Sequence, residues 1–165
     1  MMRLLFSIFF VIFFLGCGGH RTFVSLTSQR VPNHEITIDT AYDEELDLVA
    51  PGYKIIHVAI KNDSMETFFL NPEKDTWIVL DDEGKRWPAS GLLNRTDPVA
   101  WQKISPELQE ALSYPLAIPG GVSQVIDIFV SQKAPVEQFY GVVFDSSVLK
   151  RRFKVLRRPF PSVKK

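Results

Sequence analysis

The chain has 165 residues, 45% of them hydrophobic and 23% charged, with 19 Lys and Arg against 19 Asp and Glu. That length suits a single domain, and the balanced charge excludes the basic footprint that a nucleic-acid-binding domain needs. The single cysteine, Cys17, leaves no intramolecular disulfide to form, so an apolar core must carry the stability.

Met1, Met2 and Arg3 give a short positive start, and residues 4–15 are apolar apart from Ser7. A membrane-spanning helix needs about 20 apolar residues, and this run breaks at Gly16, so it has the form of an export signal that is later removed. Phe14-Leu15-Gly16-Cys17 then resembles the bacterial lipobox, with Phe14 where that family usually has Leu. The resemblance implies a lipoprotein signal peptide over residues 1–16 and a Cys17 whose sulfur receives diacylglycerol, with cleavage before it and acylation of the new amino group. Gly18, in place of Asp, resembles the pattern of an outer-membrane destination, periplasmic or surface-facing. The chemistry agrees, because a lone exported thiol is open to oxidation and acylation removes it. Each buried methylene contributes about 0.8 kcal/mol and stable anchoring takes more than one chain, which such a cysteine supplies.

Residues 17–33 are expected to form the lipidated cysteine and a leader, and residues 34–165 the domain. "HEITIDTAY" alternates Ile36 and Ile38 with polar neighbours, and "YKIIHVAIKN" places Ile56, Val58 and Ile60 on one face and Tyr53, His57 and Lys61 on the other. Both have the period of a half-buried strand. "TWIVLDDEGKRW" predicts a hairpin, with Gly84 free to take positive φ. "VSQVIDIFVS" and "EQFYGVVFD" are apolar on both faces in part, as central strands are, and "RRFKVLRR" predicts a charged last strand that resists edge-to-edge pairing. Seven or eight short strands without long helical patterns between them predict an all-β, two-sheet antiparallel sandwich.

Residues 97–113 depart from this. Asp97 with Pro98, then Ser105 with Pro106, are two successive helix starts. Trp101, Ile104, Leu108 and Leu112 fall near one face, so this short helical insertion is expected to lid one open end of the sandwich or to offer Trp101, Ile104 and Leu108 to a partner. Charge is unevenly spread: Glu35, Asp39, Asp43, Glu44, Glu45 and Asp47 stand without a basic residue among them, whereas residues 150–165 hold eight basic residues and no acidic one. The bland reading is two solvated faces that pair. The sharper one has Arg151, Arg152, Arg157 and Arg158 touching a partner, anionic headgroups or a polyanionic envelope polymer.

Lys61-Asn62, Asp81 to Gly84 with Trp87, Pro119-Gly120-Gly121 and Phe144-Asp145 together resemble the immunoglobulin-like domains of exported bacterial proteins and lipoproteins, including those akin to secreted mycobacterial immunogenic antigens. The likeness runs from about Tyr53 to Asp145. It implies an immunoglobulin-like sandwich in an exported setting, and brings no activity with it.

His20, His34 and His57 lack the paired spacing of a zinc site, and no nucleophile elbow, phosphate loop or dinucleotide fingerprint occurs, so neither cofactor nor metal is expected. "DDEG" and "YDEELD" are read as turn and solvated acidic loop rather than calcium ligands. Trp77 and Trp87 pack across their hairpin or else stack a sugar ring. The sequence therefore points to a membrane-anchored, non-enzymatic protein-binding module of the cell envelope, a component or assembly factor of a larger complex. The alternatives are a lipoprotein that binds a glycan, lipid or metal ion, and, last, an envelope hydrolase.

Overall fold

The computed structural model describes residues 22–31 and 34–156. They form a mostly β structure dominated by one antiparallel sheet. Its strands are β1 (Thr22–Val31), β2 (His34–Tyr42), β3 (Tyr53–Asn62), β5 (Thr76–Leu80), β6 (Arg86–Ser90), β8 (Ser123–Ser131), β9 (Gly141–Ser146) and β10 (Arg151–Leu156). Two short strands, β4 (Phe68–Phe69) and β7 (Ala117–Ile118), pair separately. The sheet runs β1-β2-β3-β8-β6-β5-β9-β10, and β1 comes to lie beside β10, so the sheet nearly closes into a barrel. The two expected sheets are thus continuous: β8 and β6 join at just two residue pairs, Ala89 with Val130 and Ser90 with Phe129.

The alternation of side chains builds the interior. Ile36 and Ile38 of β2, Ile56, Val58 and Ile60 of β3, and Ile126, Ile128 and Val130 of β8 all face inward and are fully buried. In register, Ile38 pairs with Ile60, Ile56 with Ile128 and Val58 with Ile126, so β-branched side chains abut across three strands. The other half answers with rings. Trp77 of β5 stacks on Phe144 of β9 at 4.1 Å and 12°, and Phe144 lies 5.7 Å from Phe153 of β10. Val79, Val142 and Val155 form the next layer of the same three strands.

The sheet begins at Thr22, inside the stretch expected to be a leader. A register shift between Val24 and Thr27 breaks the period-two pattern there, which hides β1 from a sequence reading.

The helical insertion has α1 (Leu93–Thr96), which the sequence did not signal, then α2 (Pro98–Trp101) and α3 (Pro106–Ala111). The predicted caps form: Asp97 accepts from the Ala100 N–H and Ser105 from the Leu108 N–H. Its position corrects the expectation of a lid over an open end. Ile55 of β3 and Phe129 of β8 point away from the interior, and Leu93, Ala100 and Ile104 cover them in a second apolar cluster. The insertion plates one outer wall because that wall is itself apolar at this level, which is why Ile55 and Ile56 are buried side by side.

Candidate functional site

The strands give the molecule two distinct ends. At one, the mouth, β1 begins, with Thr22 opposite Tyr42, and β10 finishes, with Leu156 opposite Gly141. Lys54, at the start of β3, holds the mouth together by donating to the Ala134 carbonyl at 3.1 Å and pairing with Glu137 in the β8–β9 connection. Asp43 caps the 3₁₀ turn Glu44–Leu48, and Asp47 accepts the Tyr42 hydroxyl at 2.6 Å. Burial, followed by that carboxylate, raises the tyrosine's pKa. The acidic "YDEELD" stretch is therefore partly structural.

At the far end, Asn62 knits two loops. Its side-chain amide donates to the Glu66 and Ile118 carbonyls at 2.7 and 2.9 Å, and its backbone pairs with Gly121 and Val122. Pro119-Gly120-Gly121 is required here for two reasons. Gly121 has φ +75°, and a Cβ on Gly120 would stand 2.5 Å from the Ser64 carbonyl oxygen. The loops so pinned, with the β4–β7 pair beside them, display Met65 (99% exposed), Phe69 (59%) and Leu116 (65%). Backbone pairing of Leu70 with Leu116 brings the last two together. No periodic signal marks these three, and sequence reasoning missed them.

The outer walls carry two grooves. One, of about 360 Å³ on the β2–β3–β8 wall, is lined by Asp39, Asp43 and His57 over Ala41, Ala59 and Val125. His57 Nδ1 shares a hydrogen bond with Asp127, its cross-strand neighbour. The other groove, of about 300 Å³ on the β6–β5–β9–β10 wall, is lined by Arg86, Arg152, Lys154, Leu80, Val143 and Tyr140. Arg152 grips Asp145 through two nitrogens at 2.6 and 2.9 Å, and its guanidinium holds that carboxyl below the usual carboxylate range. The alternation that puts Arg152 and Lys154 on one face was legible; the meeting with Arg86 was not.

The residues singled out from sequence separate here. Trp101 is half-buried, edge-on to Phe129 at 6.5 Å, and Ile104 is 3% exposed, so the expected partner stripe is corrected: both belong to the wall's apolar cover. Leu108 does face solvent, at 41% exposure. Tyr53 ties the insertion to β3 by donating to Asp97, whose carboxyl is held down first by the Ala100 N–H. Arg151 is exposed on β10. Cys17, the signal at 1–16, Arg157 and Arg158 lie outside the described residues. Trp77 is buried against Phe144 and is closed to any sugar. Asp81 accepts from the Lys85 N–H and the Trp87 indole N–H at 2.7 and 2.9 Å, so "DDEG" is spent on its own turn. Among the described residues no group of three or more His, Cys, Asp or Glu is placed to hold a metal ion, and no helix is long and apolar enough to cross a membrane.

No family model matches the chain, and no curated protein does. A crystal structure of a conserved hypothetical protein from Bacillus anthracis is similar over 84% of this chain and 97% of that one, at 12% identity and a TM-score of 0.40. So loose a superposition carries no argument about activity.

Proposed function

We propose that the chain is an exported, lipid-anchored immunoglobulin-like module that binds a protein partner in the bacterial envelope without covalent chemistry of its own. The immunoglobulin-like assignment draws support from strand order. β2-β3-β8 and β6-β5-β9-β10 correspond to the A-B-E and C′-C-F-G runs of that fold, with β1 added at the seam.

The observation that carries the binding role is the exposed trio Met65, Phe69 and Leu116, set on hydrogen-bonded loops at the end opposite the start of β1. Phe69 and Leu116 stand together and Met65 is displayed on the adjoining loop beside Gly120, and exposed apolar side chains gathered at one end of a domain mark an interaction site. The lipobox supplies the orientation: four residues separate Cys17 from Thr22, and the five Cα steps reach about 18 Å at most, so an acylated Cys17 holds the mouth near the bilayer and turns the patch outward.

The test is a pulldown from detergent-solubilised envelopes with the wild-type protein and with Met65→Lys/Phe69→Glu. A stoichiometric partner captured by the first and lost with the second is expected. Recovery of none, or equal recovery with both, overturns the reading. Mass spectrometry of the amino-terminal peptide checks the anchor separately. A second reading, a lipoprotein that binds a small ligand, rests on the Asp39, Asp43 and His57 groove. A thermal-shift screen with envelope sugars, lipids and divalent ions that yields no stabilisation removes it.

A further inference from the structure

The two grooves lie on opposite outer walls, are similar in size and carry opposite charge. On the first wall Asp127 is committed to His57, whereas Asp39 and Asp43 have no cationic partner among the described residues and accept only backbone N–H groups, from Thr40 and Glu45. On the second, Arg152 is paired with Asp145 and Arg86 acts on the same carboxylate from farther off, whereas Lys154 has no carboxylate partner among the described residues. The acidic wall thus keeps two carboxylates without a cation, and the basic wall sets Arg86, Arg152 and Lys154 around the single carboxylate Asp145, so each wall has an excess charge of one sign. Each also exposes an apolar centre beside them, Val125 on the acidic wall and Tyr140 on the basic one. Charges around a small apolar centre are the anatomy of a protein–protein contact, whereas small-molecule sites are concave and enclose their ligand.

We propose that the occupant of each groove is a second copy of this chain, the acidic β2–β3–β8 wall of one protomer meeting the basic β6–β5–β9–β10 wall of the next. Charge complementarity sets the register: Asp39 and Asp43 face Arg86 and Lys154 of the neighbour, and Val125 approaches Tyr140. The formal charge of the chain is zero, so no net repulsion opposes the approach. Because the walls are different surfaces, the contact is heterologous and repeats as an open row in place of a closed dimer. A chain tethered at its mouth points both walls sideways along the bilayer, where neighbours are concentrated. The pairing itself does not depend on the tether.

Sedimentation velocity of the full chain in detergent tests this. At about 20 mM salt the average mass should rise with protein concentration up to about 100 µM, and at about 500 mM salt, where the screening length is only a few ångströms, it should return to monomer. Asp39→Lys/Asp43→Lys and Arg86→Glu/Lys154→Glu should each remain monomeric at low salt, and an equimolar mixture should associate again as an alternating row, because the two intact walls and the two reversed walls are each complementary. Asp39→Lys alone, which leaves the Asp43 cap in place, guards against a folding defect in the first variant. A wild-type chain that stays monomeric, variants that associate as it does, or a mixture that stays monomeric overturns the proposal. So does association that persists in high salt, or that inorganic phosphate abolishes at a matched ionic strength, since the latter marks the basic groove as an anion site.

Discussion

The molecule has two apolar cores, and they were made differently. The inner one is wrapped by the nearly closed sheet, and its rows of Ile and Val and its Trp77-Phe144-Phe153 stack follow strand register. The outer one is a patch on a single wall, Ile55 and Phe129, covered by an insertion that contributes Leu93, Ala100 and Ile104. The difference separates what specifies the fold from what has been added to it: the first core is built from neighbours in the sheet, the second from a segment that lies between β6 and β7 in sequence.

Phe144→Ala should have the largest effect. It removes the middle ring of the stack, and a buried Phe→Ala change costs about 3–5 kcal/mol, so urea unfolding should shift to a much lower midpoint and lose both cores in one transition. Ile104→Ala sharpens the contrast. A loss of about 2–3 kcal/mol is expected at most, and amide exchange should accelerate over residues 93–113 while β5, β9 and β10 stay protected. Equal acceleration everywhere would show that the two cores are one cooperative unit.

Asp81→Asn probes the hairpin that flanks the inner core. The Trp87 N–H holds the Asp81 carboxyl below its ordinary value, so its contribution to stability is complete above about pH 4 and fades as pH falls through the lowered value. The variant should melt below the wild type at pH 7, and the gap should close on acidification, as followed by thermal circular dichroism. Leu108→Lys should do least, within about 0.5 kcal/mol, since Leu108 lies on the solvent side of the insertion.

How much of this was written locally follows from the same contrast. Period two in "YKIIHVAIKN", turn chemistry in "DDEG" and the two caps followed by proline are short-range signals, and each produced the element it predicted. β1 was missed because its bulge interrupts the alternation. The docking of the insertion was misread because spacing tells which side chains share a helix face but not which surface receives them. Consecutive burial of Ile55 and Ile56 was the available clue, since a strand with water on one side has no reason to carry both. The exposed Met65, Phe69 and Leu116, and the convergence of Arg86 with Lys154, depend on contacts between distant segments, and no local pattern encodes those.

The bridge between β8 and β6 consists of just two pairs. Every other ladder in the main sheet has more, so this is the weakest of its hydrogen-bonded joins, and the two halves are sewn there by Ala89 and Ser90. A pull applied between β8 and β6 would part the cylinder at that stitch and, because no ladder joins β1 to β10 among the described residues, would leave two half-sheets held only by interior packing and the chain connections.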